Sequence, residues 1–309
     1  NEGNSIIFIS HDLPEILDKS DTITVLRDGV YIDTVKSKDM TEDDLKKLMV
    51  GREMTGKYYR ADYGEKVSDE VVLSVKNVTV PGLIYDVSFD LHKGEILGFG
   101  GLSESGMHEV GKAIFGASFD REGSVTLADG TQINDIPTAI KNEIAYTSKD
   151  RDNESIVINQ SIGDNICLPS LGKLGSGPLK LLSDKKLRAF SDKYAKEISV
   201  KMVNTDQFVS ELSGGNKQKV VLARWIGRDS DIIVLDSPTR GIDIKVKQDI
   251  YQLMDQMRKD GKSIIMISEE LMELIGMCDR ILIMKDGKIS GQLDRNPDMD
   301  ENSLISMMV

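Results

Sequence analysis

The run LSGGNKQKVVLARW (Leu212–Trp225) is followed five residues later by DIIVLDSPTRGID (Asp231–Asp243). In the first, Ser213, Gly214 and Gly215 stand ahead of a helical pattern that continues through Asn216, Gln218, Ala223 and Arg224. The open backbone N–H groups of such a helix start can hold an anion; the glycines let it approach closely and the serine hydroxyl adds a donor. In the second, an apolar strand ends in Asp236, a carboxylate in position to hold Mg2+ through water, and Ser237 follows it. A Ser-Gly-Gly turn alone is an ordinary helix cap, and a strand ending in Asp is common. Their short spacing is the informative feature. Strands alternating with helices imply an α/β core built on a parallel sheet.

Upstream, GLSESGMH (Gly101–His108) lies between the apolar run EILGFG and a helical pattern. The phosphate-cradling consensus is G-x-x-x-x-G-K-[ST], with Lys on the phosphates and Ser/Thr on Mg2+. Gly101 and Gly106 satisfy it, and Ser103 and Ser105 lie between them. Met107 replaces the lysine and His108 the hydroxyl residue. Taken alone the turn fails the motif; in register with the two segments downstream it reads as a degenerate version of it. Lys112, a turn further on, is expected to point elsewhere. The stretch AYTSKDRDNES (Ala145–Ser155) carries Lys149, Asp150 and Arg151 in the loop after another strand.

The chain also repeats itself. SIIFISHDL begins at Ser5 and SIIMISEEL at Ser263. At an offset of 258, Ser5–Gly29 aligns with Ser263–Gly287 without a gap and with 11 of 25 positions identical. Both copies read strand, loop, helix, then a β pair, and Leu45–Val50 resembles Leu304–Val309. So long an offset marks a duplicated domain, since solenoid periods run to roughly 20–50 residues. The expected organisation is residues 1–50 as the C-terminal end of a first domain, 51–70 as a polar, aperiodic linker, and 71–309 as a second domain. A helical insert spans about 161–210 of the second domain. The chain opens at Asn1 directly into a strand pattern and reads as a fragment whose first domain is mostly missing. The two copies differ where chemistry is expected: His11 in the first is Glu269 in the second.

Composition excludes some functions. The chain has 39 basic and 51 acidic residues and a net charge of −12, which argues against a nucleic-acid-binding surface. Cys167 and Cys278 match no zinc spacing and suggest a reducing compartment. No apolar run approaches the ~20 residues that span a bilayer.

These motifs together resemble the ATP-binding cassettes of ABC transporters. MVGREM (Met49–Met54), KGEILGFGGL, LSGGNKQKVVLARW, PTRGIDIKVK and ISEEL look like the second half of the tandem ATP-binding subunits of bacterial monosaccharide importers, of the ribose and galactose type. The resemblance covers essentially the whole chain. It implies an ABC-type nucleotide-binding fold with a parallel core sheet, an antiparallel β subdomain and a helical subdomain, preceded by the tail of a first such domain. It implies ATP and Mg2+ as ligands, with Gly101, Ser103, Ser105, Gly106, Met107 and His108 at the P-loop position and Asp236 at the metal position. Lys149 falls where the family carries a glutamine, and Ser237 where it carries a catalytic glutamate. His11 matches the switch histidine of the first domain, and Glu269 stands at that position in the second. Ser213, Gly214, Gly215 and Asn216 form the signature, and TRGID, ending in Asp243, resembles the D-loop, which implies that Asp243 lies among the nucleotide-binding residues.

ABC domains pair head to tail, each ATP held between one domain's P-loop and the other's signature. The resemblance therefore implies that the intact signature completes the site of the missing first domain, to which His11 belongs. The opposite site lacks catalytic parts and is open to three readings: weak binding, retention without turnover, or vacancy. The implied partners are a membrane permease dimer, indirectly an extracytoplasmic sugar-binding protein, and the chain's own first domain, at the cytoplasmic face of the bacterial plasma membrane. The helical insert is the expected docking surface for the permease. Rival readings are a tandem subunit importing nucleosides or another small solute, a soluble ABC ATPase acting on ribosomes or DNA, and a non-hydrolysing regulatory module.

Overall fold

The structure, a computed structural model, describes residues 5–10, 13–27, 30–50, 58–60, 62–63, 67–177 and 179–308. In chain order its elements are α1 (Leu13–Lys19), β1 (Thr22–Arg27), β2 (Val30–Lys36), α2 (Glu42–Val50), β3 (Val71–Val80), β4 (Ile84–His92), β5 (Ile96–Gly101), α3 (Met107–Ile114), β6 (Glu122–Leu127), α4 (Ile136–Lys141), β7 (Ile144–Thr147), α5 (Ile162–Cys167), α6 (Leu171–Leu174), α7 (Asp184–Glu197), α8 (Gly214–Arg228), β8 (Ile232–Asp236), α9 (Ile244–Lys259), β9 (Ser263–Ile267), α10 (Leu271–Met277), β10 (Arg280–Lys285), β11 (Lys288–Asp294) and α11 (Glu301–Met308).

The central sheet runs β11-β10-β5-β9-β8-β7, parallel throughout except for the antiparallel edge strand β11. Every residue of β5, β8 and β9 is buried, the expected consequence of a parallel sheet covered on both faces, which is why these strands read as continuous apolar runs. β3, by contrast, alternates, and forms with β4 and β6 a separate antiparallel sheet in the order β4-β3-β6. Phe89 of β4 meets Phe99 of β5 edge-to-face at 5.0 Å and joins the two sheets. The segment 161–210 carries α5, α6 and α7. Phe115, Tyr146 and Trp225 cluster where α3, β7 and α8 meet.

The repeat is visible in three dimensions. The ranges of α1, β1 and β2 correspond residue for residue to those of α10, β10 and β11. Even the irregularity matches: the first hairpin shifts register between Val25 and Leu26, the second between Ile283 and Met284. Thr41 caps α2 as expected, its hydroxyl accepting from the Asp44 N–H while the Asp44 carboxylate accepts from the Thr41 N–H at 3.1 Å.

Two expectations change. SIIFIS forms no strand; Ile7 and Ile9 are 94% and 99% exposed, whereas the equivalent Ile265 and Ile267 are fully buried in β9. A strand needs neighbours for its backbone hydrogen bonds, and this copy has no β5 and β8 around it. The polar stretch before β3 is, in part, anchored. Tyr58 and Arg60 are buried, and Arg60 donates to Asp279 Oδ1 at 2.7 Å and to the Met277 carbonyl at 2.8 Å. Arg295 donates to the carbonyls of Arg60 and Asp62 and lies over the Tyr63 ring. His11, Asp28 and Gly29 fall outside the described residues.

Candidate functional site

Because β5, β9, β8 and β7 are parallel neighbours, the loops after them leave the sheet at one edge. The carboxyl edge of such a sheet is where α/β folds bind ligands. The turn Gly101–His108, the end of β8 at Asp236, Glu269 after β9 and Lys149 after β7 are thereby brought together from positions up to 168 residues apart in the chain.

The first turn is tightly fitted. A Cβ on Gly101 would fall 2.7 Å from the Met284 carbonyl, and Gly106 has φ +91° with Ile84 Cγ2 within 2.6 Å of where its Cβ would be. Both positions thus require glycine. Met107 is fully buried, so the position of the consensus lysine sends nothing into the mouth of the turn. Lys112, as its position suggests, is turned away and pairs with Glu154 at 3.1 Å.

His108 instead faces Asp236. Both are buried, and His108 Nδ1 donates to Asp236 Oδ1 at 2.7 Å. A carboxylate can only accept, so the ring proton is on Nδ1. Asp236 also accepts from the Ser237 hydroxyl at 3.2 Å and from Tyr146 at 3.4 Å. Ser237 has φ +50°, a strained region for a side-chain-bearing residue, and its N–H donates to the Ile267 carbonyl. The far ring nitrogen, His108 Nε2, lies 3.5 Å from Glu269 Oε1, and the Ser103 hydroxyl donates to that same oxygen at 2.9 Å. Lys149 Nζ is 3.8 Å from it. Burial works to raise the Glu269 carboxyl, but Ser103, His108 and Lys149 together hold it below its ordinary value.

This donor set does not suit Mg2+, which demands near-octahedral oxygen ligation. Both Asp236 oxygens are engaged by donors, an imidazole replaces the hydroxyl that would share the ion, and among the described residues no three His, Cys, Asp or Glu side chains converge in metal-ligating geometry. Buried polar atoms without hydrogen-bond partners do line this region, at Ser105 Oγ, His108 Nε2 and Thr147 Oγ1.

The second feature is the start of α8. Ser213 is exposed at its N-cap, with backbone φ −63° and ψ 157°. Asn216 Nδ2 donates to the Ser213 hydroxyl at 3.0 Å while its Oδ1 accepts from the Lys201 N–H at 2.7 Å, fixing the turn against the helical segment. A side chain on Gly214 would approach Arg151, and one on Gly215 would press on Val246 at 3.2 Å. Asp243 caps α9 by accepting from the Val246 N–H at 3.1 Å. Ser213, Asn216 and Asp243 share a cleft of about 390 Å³ with Leu26 and Met49 of the first repeat copy. Arg224 is buried and forks onto the carbonyls of Ser155 and Asn165, holding α8 to α5. Burial lowers its guanidinium to about 10.

One buried carboxylate was not singled out by sequence. Glu273, on α10, accepts from Tyr251 at 2.5 Å, Ser268 at 2.7 Å, Lys247 at 3.3 Å and Thr239. It ties the loop after β8 to the loop after β9. The repeat carried a signal for it, because Ser10 donates to Glu15 in the first copy as Ser268 does to Glu273 in the second.

With this geometry in view, comparison with known proteins gives consistent results. The family model described as ABC transporter matches residues 84–240. A ribose import ATP-binding protein of Clostridium tetani is 40% identical over 296 residues, covering 96% of this chain and 58% of that protein. A xylose import ATP-binding protein of Thermoanaerobacter pseudethanolicus is 42% identical over 299 residues, covering 94% and 58%. The chain thus spans less than two thirds of these relatives. Among solved structures, a dimeric bacterial ABC transporter cassette superimposes with a TM-score of 0.63 at 21% identity, covering 72% of this chain and 99% of that one. A nucleotide-free ATP-binding cassette matches with the same score at 20% identity. The fold is that of the ABC ATPase cassette.

Proposed function

This chain belongs to the ABC transporter family, and we propose that it forms part of the ATP-binding, energy-coupling subunit of a monosaccharide importer. The relatives named for ribose and xylose import, matched along nearly the whole chain, support the substrate class. The observation that carries the reading is the asymmetry of the chain's two half-sites. The signature Ser213–Asn216 is intact, with Ser213 exposed, while the turn after β5 and the end of β8 carry Met107, His108 and Ser237 in place of lysine, hydroxyl and glutamate.

On this reading residues 1–50 are the tail of a first cassette, 51–70 connect the two, and 71–309 are the second. The matching ranges of α1, β1, β2 and α10, β10, β11 support it. ATP is hydrolysed between the P-loop of the first cassette and Ser213, Gly214 and Gly215 of the second. There the helix start stabilises phosphate charge and His11 contacts the reacting phosphate. The subunit works on the cytoplasmic face of the bacterial membrane against a permease dimer supplied by a sugar-binding protein. No helix among the described residues is long and apolar enough to cross a membrane. The helical segment is the docking surface, with Leu168, Leu179, Leu181, Leu182 and Phe208 exposed on it.

The test is ATP turnover and sugar uptake by the full-length protein reconstituted with its permease. Ser213→Arg lowers both at least about 100-fold, whereas Ser237→Ala leaves turnover within about twofold. Turnover that survives Ser213→Arg, or collapses with Ser237→Ala, overturns the assignment of the working site.

A further inference from the structure

We infer that the turn between β5 and α3 is closed from within. Glu269 takes the place of an anion at its mouth and His108 takes the place of a cation on Asp236, so that this pocket accepts no metal–nucleotide. The inference deepens the importer reading and rests on it, in that it takes the turn for a nucleotide pocket.

The contacts form one line, Ser103–Glu269–His108–Asp236, that crosses the loops after β5, β9 and β8, with Lys149 adding the loop after β7. The His108–Asp236 contact dominates because both groups are buried. A hydrogen bond to a carboxylate shielded from water is stronger than a neutral one and costly to break. The Lys149 contact is long and partly exposed and contributes little.

An incoming polyphosphate meets three obstacles. The Glu269 carboxylate is held at the mouth by the Ser103 hydroxyl, and like charges at this separation repel. Met107 is buried and supplies no countercharge. A metal ion accompanying the phosphate would have to displace an imidazole already bonded to Asp236, and Mg2+ is a poor competitor against a nitrogen-centred arrangement. The His108 ring and the Ser103 hydroxyl thus engage Asp236 and Glu269 where a ligand would otherwise do so. On this inference this half of the pair is a standing clasp and carries no nucleotide signal.

The experiment is a titration of the whole chain with a fluorescent ATP analogue, once with Mg2+ and once with EDTA. It compares wild type, Glu269→Ala, and the triple variant Met107→Lys/His108→Ser/Glu269→Ala. Folding of each is checked by Trp225 fluorescence. Closure predicts no saturable binding by wild type up to about 1 mM under either condition. It also predicts a gain of at least about tenfold in metal-free affinity for Glu269→Ala, and a further Mg2+-dependent gain for the triple variant. The Glu269 side chain is 39% exposed, so its single variant tests the proposal even if the triple variant fails to fold. Wild-type binding strengthened about tenfold or more by Mg2+ overturns the closure alone and leaves the turn a working nucleotide pocket. Folded variants that bind no better than wild type overturn both the closure and the reading of the turn as a nucleotide pocket.

Discussion

His108 Nδ1 lies 2.7 Å from Asp236 Oδ1, with both side chains nearly sealed from solvent. The pair joins the first turn of α3 to the end of β8 across the intervening strand β9. Removing one partner of a buried pair strands the other. His108→Ala is therefore expected to destabilise the chain by about 3 kcal/mol, read as a lowered urea midpoint followed by the fluorescence of Trp225, the sole tryptophan. The double variant His108→Ala/Asp236→Ala recovers part of that loss, because no carboxylate is then left unpaired. Equal, additive losses would mean the two groups do not interact.

Glu273 offers a second test of buried polar satisfaction. Tyr251, Ser268, Lys247 and Thr239 all donate to it, and the Tyr251 hydroxyl is pushed far above its ordinary value by burial and by the Glu273 charge. Glu273→Leu takes this acceptor from Tyr251, Ser268 and Thr239, while Lys247 keeps Glu270 at 2.6 Å; it costs about 3 kcal/mol or more, whereas Glu273→Gln retains an acceptor oxygen and costs less. Hydrogen exchange then speeds up in the loops after β8 and β9 before it does in β3–β4. Uniform acceleration would deny Glu273 its role as a local tie.

Gly276 tests the clasp between the segment before β3 and the end of α10. A Cβ at Gly276 would lie 2.3 Å from Tyr59 Cγ, and the Tyr59 ring packs on Tyr251 at 5.3 Å. Gly276→Ala must push the tyrosine away at a cost of about 1–3 kcal/mol, and proteolysis near Tyr58–Arg60 becomes faster. Unchanged cleavage would mean the segment is not held there.

Asp62 supplies a pH dependence. Burial works against its charge, but Arg60 and, more weakly, Arg258 hold the carboxyl at about 2, below its ordinary 3.8. Folding thus binds this proton more weakly than the unfolded chain does, so the stabilisation is present above pH 3.8 and disappears as pH falls towards 2. Asp62→Asn is expected to be less stable than wild type at pH 5–7. The two denaturation curves converge towards pH 2; a gap that persists there would assign the effect to packing.

Much of this protein could be read from its sequence, and the physical reasons are specific. Wholly buried parallel strands must be apolar, so EILGFG, DIIVLD and SIIMIS announced β5, β8 and β9. Glycines at positions where a Cβ cannot fit marked the turn at Gly101 and Gly106, and a Ser-Gly-Gly start marked α8. The long repeat gave the matching of α1, β1 and β2 to α10, β10 and β11. These are local properties, encoded in residues adjacent along the chain.

What only the tertiary structure decided depends on which loops the sheet order brings together. Nearly identical apolar runs at Ser5 and Ser263 form an exposed segment in one copy and a central strand in the other, because a strand exists only between neighbours that accept its hydrogen bonds. Sequence marked His108 and Glu269 as separate departures from a motif and Asp236 as a residue that keeps it. The order β5-β9-β8 set them side by side, where an imidazole between two carboxylates is a set of mutual contacts. Charge complementarity is a matter of distance in space, and sequence spacing carries no record of it until the fold has fixed which residues meet.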